Sequence, residues 1–221
     1  FSEYQRTWME ARGFPATSID VVPNYLALEL PEPLRTADVR GPTRLGFVAK
    51  DFRAKGGEVL LAAFAALRAR HPYLTLTVVG SPPTKPDGEL AALGVRWLPF
   101  VPREELLSTL LPTFDLMVYP SLFDGLPYGP MEGLAYGIPA VVSDYRALPE
   151  LIGAHAGRVS RTGDPASLAA AVEELLDPDA WAAASAAARQ RFHQRFSATT
   201  QREALGASYR ATVTQGKTPR G

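Results

Sequence analysis

The chain has 221 residues, of which 46% are hydrophobic, and this is enough to fill the core of one large domain or two small ones. Lysine and arginine together number 23, as do aspartate and glutamate, and no basic run suggests a nucleic-acid partner. There is no cysteine, which excludes disulfides, thiolate–zinc sites and a cysteine nucleophile, and no hydrophobic run reaches the roughly 18 residues that a membrane span needs. These features predict a globular protein, with the cytoplasm as its default location.

The first forty residues do not follow a regular alternation of strands and helices. Residues 1–14 (FSEYQRTWMEARGF) have a helical pattern, residues 18–24 (SIDVVPN) are typical of a strand, and residues 30–42 (LPEPLRTADVRGP) form a proline-rich connector. The chain begins with Phe1 and shows no signal-peptide pattern. We therefore interpret residues 1–36 as the end of a preceding unit together with a linker.

From residue 43 onward, strand and helix patterns alternate. Short apolar runs predict strands at residues 43–49, 73–80, 94–98, 114–119, 139–143 and 156–160. Helical patterns lie between them, at residues 56–70, 103–111, 129–136 and 165–176. This alternation predicts an α/β fold, namely a Rossmann-like, doubly wound parallel sheet of about six strands with helices on both faces. We assign this domain to residues 37–195.

The C-terminal part of the chain predicts helices and a tail. The sequence from residue 179 onward has two helical patterns that join near Phe196 and Ser197. We assign residues 196–215 to a C-terminal helix, and we expect the polar residues 216–221 to be disordered.

The loop after the first predicted strand has the composition of a phosphate site. Its sequence, AKDFRAKGG, contains Lys50, Arg53 and Lys55 and ends in two glycines that open a helix. Cations, a flexible backbone and a helix N-terminus together suit a phosphate group, although a solvated basic loop would have the same composition. There is no Walker sequence and no G-x-G-x-x-G, which argues against a P-loop or a dinucleotide site.

The loop after the fourth predicted strand places two carboxylates in a glycine-rich and proline-rich turn. Asp124 and Glu132 lie in the sequence DGLPYGPMEG. One interpretation is structural, with Asp124 as a helix N-cap and Glu132 as a surface residue. The other is that both accept hydrogen bonds from the hydroxyls of a sugar and a ribose, because carboxylates are suitable acceptors for vicinal diols.

Several of these segments, in order, resemble a known family. The segments are FVAKDFRAKGG, GVRWLPFVPREEL, DGLPYGPMEGLAYGIPAVVSD and AGRVSRTGDPASLAAAVEELL, and their spacing is similar to that in the nucleotide-sugar-binding domain of glycosyltransferase family 4. This resemblance covers residues 17 to about 210 and implies the C-terminal domain of a GT-B fold. It also implies that the N-terminal acceptor-binding domain is missing, apart from its last helix and strand.

The resemblance assigns roles to individual residues. Lys50 and Lys55 would bind the donor diphosphate, Asp124 the transferred sugar and Glu132 the ribose, which makes Lys50, Lys55 and Asp124 the catalytic set. The backbone from Leu98 to Val101 would border the base. The remaining residues expected to bind the donor are Gly56, Gly125, Leu126, Tyr128 and Gly129.

The chain departs from the family pattern at four places. Asp124 is one methylene shorter than the usual glutamate, and Lys50 lacks the forked guanidinium of the usual arginine. Pro127 stands where a glycine with a free amide is common. Arg146 and Ala147 replace a common Gly-Gly pair, and the sequence does not decide whether Arg146 contacts the donor.

The resemblance implies a retaining, metal-independent transfer of a sugar from a nucleotide-diphosphate donor, with no cofactor. The expected partners are this donor and the missing domain, with peripheral membrane association of the full-length protein left open. We expect the chain by itself to be inactive. Two alternatives are a non-catalytic nucleotide-sugar-binding module and a sugar-nucleotide epimerase of GT-B architecture. The base, the sugar, the acceptor and the oligomeric state are not determined by the sequence.

Overall fold

The computed structural model describes residues 2–28 and 43–216, the last three through their backbone. Within these residues the N-terminal part contains helix α1 (Glu3–Glu10) and a 3-10 turn (Ala16–Ser18). The strands are β1 (Arg44–Ala49), β2 (Thr75–Gly80), β3 (Val95–Leu98), β4 (Leu116–Tyr119), β5 (Ala140–Ser143) and β6 (Gly157–Ser160).

The other helices connect or follow these strands. They are α2 (Gly57–Arg70), α3 (Asp87–Leu93), α4 (Arg103–Glu105), α5 (Tyr128–Ala135), α6 (Leu148–Ile152), α7 (Pro165–Glu173), α8 (Pro178–Arg195) and α9 (Ala198–Gly216). Helix α4 continues through a π turn (Leu106–Leu110) and a 3-10 turn (Leu111–Thr113) before β4 begins. No helix in the described ranges combines the length and the apolar character that crossing a bilayer requires.

The six strands form one parallel sheet in the order β3-β2-β1-β4-β5-β6, which confirms the predicted Rossmann-like fold class. Every strand pair is parallel, and β1 lies between β2 and β4. The chain winds outward from β1 in one direction through β2 and β3, and then in the other through β4, β5 and β6. The carboxyl ends of β1 and β4 therefore flank the point where the winding reverses, and a crevice at this point is the usual ligand site of such sheets.

Strands β4 and β5 are fully buried in the sheet. All four residues of β4 and all four of β5 are buried, as expected for parallel strands that are covered by helices on both faces. The largest buried side chains include Phe47 of β1 and Phe64 of α2. The loops that leave β1 and β4 are therefore anchored in the rigid core.

The predicted strand at residues 18–24 is wrong. This segment contains the end of the short 3-10 turn and no strand. One parallel bridge, two residues beyond the segment, joins Leu26 to Ser197. Leu26 donates its amide to the carbonyl of Phe196 at 2.9 Å, so the pairing with the junction of α8 and α9 occurs after the predicted strand ends. Pro23 has no amide proton to give to a sheet ladder, and the neighbouring apolar residues suggested a strand only by their composition.

Two short helices were not predicted, α3 and α6. Only one residue of α3, Leu90, is buried, and α6 has five residues, so both helices are shorter than the window in which a helical pattern can be recognised. The predicted junction near Phe196 and Ser197 is confirmed, since α8 ends at Arg195 and α9 begins at Ala198. The proline-rich connector beyond Leu28 and the tail beyond Gly216 lie outside the described residues, and the domain boundaries stay a prediction.

Gly56 is required where the loop after β1 meets the loop after β4. Its φ is +77°, and a Cβ at this position would lie 2.0 Å from the carbonyl oxygen of Pro120. We predict that Gly56→Ala lowers the free energy of unfolding by at least about 2 kcal/mol, because it adds left-handed strain to a clash with a backbone atom. Denaturant unfolding measures this value.

The matched control for this substitution is Gly88→Ala in α3. No atom lies within 4 Å of a Cβ at Gly88, and alanine favours the helix by up to about 1 kcal/mol. We therefore expect this control to leave stability unchanged or to raise it slightly. Equal free energies of unfolding for the two variants would contradict the close contact at Gly56.

Candidate functional site

The loops after β1 and β4 are joined by backbone contacts at the carboxyl edge of the sheet. The amide of Leu122 donates to the carbonyl of Ala54 at 3.0 Å, and the Ser121 hydroxyl donates to the same carbonyl at 3.4 Å. The Ser143 hydroxyl, at the end of β5, donates to the carbonyl of Ser121 at 2.6 Å. These contacts hold the ends of three neighbouring strands together.

Lys55 and Asp124 form an ion pair across this junction. The Lys55 Nζ lies 2.7 Å from Asp124 Oδ2, and the two side chains are 22% and 18% exposed. The same ammonium group donates to the carbonyl of Phe123 at 2.7 Å. The structure thus brings together two of the three residues that the sequence predicted as catalytic.

Tyr119 and the backbone of Gly125 hold the Asp124 carboxylate in place. Its hydroxyl donates to Asp124 Oδ2 at 2.6 Å, and the Gly125 amide donates to Oδ1 at 2.8 Å. Burial raises the pKa of Tyr119, and the hydrogen bond to Asp124 raises it further. The phenol therefore remains a proton donor to Asp124 across the physiological pH range.

The structural interpretation of Asp124 as a helix cap is excluded. Helix α5 begins at Tyr128, its N-cap is Pro127, and no side chain caps it. The carboxylate of Asp124 is held by Lys55 and Tyr119 instead.

Glu132 is buried, so the alternative that it is a surface residue is also wrong. It lies in the second turn of α5 and is 3% exposed. Its Oε1 accepts a hydrogen bond from Nη1 of Arg103, at the start of α4. Burial raises the pKa of Glu132, while the charge and hydrogen bond of Arg103 act in the opposite direction.

Lys50 stands apart from this cluster. It follows β1 directly and is exposed. Among the residues that the structure describes, its side chain forms no hydrogen bond or ion pair. The structure therefore places Lys50 at the carboxyl edge of the sheet but does not join its side chain to that of Lys55.

The segment from Leu98 to Val101 lies at the same edge, after β3. Both of these residues are half-buried, and between them Phe100 exposes 78% of its surface. Trp97, at the end of the strand, donates its indole N–H to the carbonyl of Gly80 at 3.0 Å. The indole thereby ties the end of β3 to the end of β2.

The loop between Asp124 and α5 presents mostly backbone. Gly125 is exposed with open space where a Cβ would be, and the carbonyl of Leu126 accepts from the side-chain amide of Asn24 at 3.2 Å. Tyr128 is 50% exposed. Gly129 lets α5 approach β1, since a Cβ there would lie 3.1 Å from the carbonyl oxygen of Val48.

A cavity of about 260 Å³ opens beside the ion pair of Lys55 and Asp124. Its lining also includes the start of α1 and Arg146, whose φ is +48°. The Arg146 guanidinium lies 5.6 Å from the centroid of the Phe123 ring and 4.9 Å from that of Tyr145. The cavity therefore lies between the N-terminal segment and the loop after β4.

Sequence reasoning did not identify Arg103 and Tyr119 as parts of the site. Arg103 is 29 positions from Glu132, and a pair so distant becomes visible only once the ends of β3 and β4 are placed at one edge. Tyr119 carries a weak sequence signal, because it ends a strand and precedes Asp124 by five positions. Its buried apolar surroundings favoured a core role instead.

The comparisons with known proteins give the family. The sequence profile of the family described as "Glycosyl transferases group 1" matches residues 42–178, which is more than half of the chain. The chain belongs to this family of glycosyltransferases. It is 33% identical over 180 residues to a glycogen synthase of Mycobacterium tuberculosis (strain CDC 1551 / Oshkosh), a match that includes 77% of this chain and 43% of that protein. The chain thus spans less than half the length of this relative.

Solved structures show the same fold. The apo form of the lipopolysaccharide outer core galactosyltransferase WaaB superimposes with a TM-score of 0.77 at 16% identity, over 96% of this chain and 60% of that one. Anabaena Alr3699/HepE, solved in complex with UDP and glucose, superimposes with a TM-score of 0.71 at 18% identity, over 94% and 61% of the two chains. At these identities the likeness shows the fold, which is the Rossmann-like domain of GT-B glycosyltransferases.

The hydrogen bond from Tyr119 to Asp124 can be measured by its effect on stability. We predict that Tyr119→Phe lowers the free energy of unfolding by about 1.5 to 3 kcal/mol, because a buried donor to a charged acceptor is lost. In an Asp124→Ala background the same substitution should cost much less, so a double-mutant cycle should give a clear coupling energy. Tyr128→Phe, at an exposed tyrosine, is the control and should change stability little. A coupling energy near zero would show that the two side chains do not interact in solution.

Proposed function

We propose that this chain is the donor-binding domain of a retaining glycosyltransferase, which transfers a sugar from a nucleotide-diphosphate sugar to an acceptor. The observation that carries this proposal is the position of Lys55. Its ammonium lies just before α2, beside Asp124, at the point where the winding of the sheet reverses. A cation, a helix N-terminus and a carboxylate at one such crevice suit a diphosphate that carries a sugar.

The diphosphate would be the leaving group of the reaction. Negative charge develops on it as the glycosidic bond breaks, and preorganised cations and amides stabilise such charge in the transition state. In this proposal Lys55, Lys50 and the first-turn amides of α2 supply that stabilisation. The reaction proposed here needs no metal ion.

The two carboxylates would bind different parts of the donor. Asp124 lies beside the cavity that also contains Lys55, so its carboxylate would accept from hydroxyls of the transferred sugar. Glu132 lies further along α5, toward the loop after β3, and would accept from the ribose. The backbone from Leu98 to Val101 would border the base, and the exposed ring of Phe100 offers an apolar face there.

The similar proteins support the substrate class. A glycogen synthase and a lipopolysaccharide galactosyltransferase are among them, and a third was solved with UDP and glucose bound. We propose by analogy an acceptor that is a glycan or a lipid, in a cytoplasmic pathway of polysaccharide or glycolipid biosynthesis. We further propose that a separate N-terminal domain of the full protein holds the acceptor and that the chain alone does not turn over.

The role of the lysines can be tested by comparing two ligands. We predict that Lys50→Ala and Lys55→Ala each weaken binding of a nucleoside diphosphate about tenfold or more, because each removes a charge-assisted contact worth about 1.5 to 3 kcal/mol. Binding of the corresponding nucleoside should change little. Isothermal titration calorimetry measures both affinities, with the diphosphate chosen as the one of UDP, GDP and ADP that raises the melting temperature most.

The control for the lysines is Lys85→Ala. Lys85 precedes α3 and forms an ion pair at 3.0 Å with Glu89 of that helix. Replacing Lys85 should leave both affinities unchanged. If Lys50→Ala and Lys55→Ala weakened the nucleoside as much as the diphosphate, the proposed diphosphate contacts would be wrong.

The roles of the two carboxylates can be distinguished with a second pair of ligands. We predict that Glu132→Gln weakens every ribonucleotide, including the monophosphate, because its proposed contact is the ribose. Asp124→Asn should leave the nucleoside diphosphate unchanged and weaken only the diphosphate sugar. Calorimetric titration of each variant with both ligands gives the two affinities.

The matched control for the carboxylates is Glu89→Gln on α3, which should bind both ligands like the wild type. Wild-type affinities for both site variants would show that neither carboxylate contacts the donor. The likeness to glycosyltransferases would then be one of fold alone.

A further inference from the structure

Glu132 and Arg103 form an ion pair with very unequal exposure. The Glu132 side chain is 4% exposed and the Arg103 side chain 58%. Nη1 of Arg103 donates to Oε1 of the carboxylate, and the other oxygen, Oε2, is not taken by this contact. The acid is therefore held inside the protein by a cation that reaches it from the surface.

The buried carboxyl group of Glu132 needs the positive charge of Arg103 to favour its ionised form. Burial raises the pKa of Glu132, and among the described residues the charge that opposes this effect comes from Arg103. Tyr136, which directly follows α5, is the other ionisable group among the described residues that interacts with the carboxylate, and its own pKa is raised by burial and by Glu132. From α6, α8, β1, β4 and β5, which pack against α5, no described charged side chain contributes to the pKa of Glu132.

The position of Arg103 links this pair to the loop after β3. Arg103 begins α4, two residues after Val101, and Val101 ends the segment proposed to border the base. A nucleoside whose base lies against that segment would have its ribose between the segment and α5. The ion pair of Arg103 and Glu132 joins these same two elements.

We propose that Arg103 is a positioning residue for the donor ribose: it keeps Glu132 as a carboxylate and orients it so that Oε2 accepts from the ribose hydroxyls. This inference rests on the proposed function, in which Glu132 binds the ribose. Arg103 acts through Glu132, and it need not contact the donor itself. Without Arg103, Glu132 would take up a proton at a higher pH and would become a weaker acceptor.

The experiment measures the ribose preference, which is how much more tightly the protein binds a nucleotide with the 2′ and 3′ hydroxyls than one without them. The probes are the ribonucleoside diphosphate that binds most tightly among UDP, GDP and ADP, and its 2′,3′-dideoxy counterpart. The ratio of their dissociation constants is determined between pH 5.5 and pH 8.5 for the wild type and for variants. The titration of the Glu132 carboxyl carbon is followed by NMR without ligand, and its signal is assigned by its absence in Glu132→Gln.

Four variants distinguish the effect of the positive charge of Arg103 from the effect of its hydrogen bond and from a general effect of removing an arginine. Arg103→Met removes the charge and the donor, Arg103→Gln keeps a neutral donor, and Arg103→Lys keeps the charge. Arg96→Met removes an exposed arginine of β3 that forms no ion pair with any described residue, and it serves as the control. If the methionine variant unfolds, the glutamine variant provides the same comparison.

The expected result is a shift in pH dependence. In Arg103→Met and Arg103→Gln the carboxyl titration and the loss of ribose preference both move upward by at least about one pH unit. Arg103→Lys restores most of the wild-type profile, and Arg96→Met leaves it unchanged. Glu132→Gln has a ribose preference about tenfold lower that does not vary with pH.

Three results would overturn parts of this proposal in distinguishable ways. If Glu132→Gln kept the ribose preference, the proposed role of Glu132 would fail. If that variant lost the preference but Arg103→Met titrated like the wild type, only the role of Arg103 would fail. If the carboxyl titration moved in Arg103→Met while the ribose preference kept its wild-type profile, Arg103 would affect the charge without positioning the acceptor, and the inference would again be wrong.

Discussion

The close contact between the loops after β1 and β4 is the constraint on which the candidate site depends. Gly56 lies against the carbonyl of Pro120, and the amide of Leu122 is bonded to the carbonyl of Ala54. Because β1 and β4 are neighbours where the winding of the sheet reverses, the loops that leave them meet at the carboxyl edge of the sheet. The junction sets the distance between the loop that carries Lys55 and the loop that carries Asp124, and so it determines that their side chains meet.

Four charged side chains of the candidate site are already paired. Lys55 is paired with Asp124, and Glu132 with Arg103. Partly buried charges need such partners, because removal from water costs several kcal/mol for each unpaired ion. The pairs also hold each side chain in one orientation before any ligand arrives, and a preorganised site loses less entropy when it binds.

The sequence predicted the fold better than the contacts between the candidate site residues. Alternating apolar runs and helical patterns are local, so six strands could be found from them, and their parallel order brings the loops that follow the strands to one edge of the sheet. The strand predicted at residues 18–24 was wrong because β-branched residues indicate an extended backbone but not a partner strand. The bond between Arg103 and Glu132 spans 29 positions and two helices, and no periodicity in a single sequence encodes such a contact.

The pairing has a consequence for how a diphosphate could be held. Lys55 contributes one positive charge, but Asp124 lies 2.7 Å away and offsets it, so Lys55 would have to divide its donors between the carboxylate and the phosphates. An ammonium has three donors on a flexible stem and can make this division, whereas its charge remains partly compensated. Lys50 is exposed and has no ion pair among the described residues, so no described carboxylate offsets its charge. In the proposed diphosphate site, Lys55 therefore supplies donors in a fixed position and Lys50 supplies the positive charge. Lys50 itself makes no contact with Lys55 or Asp124 in the structure.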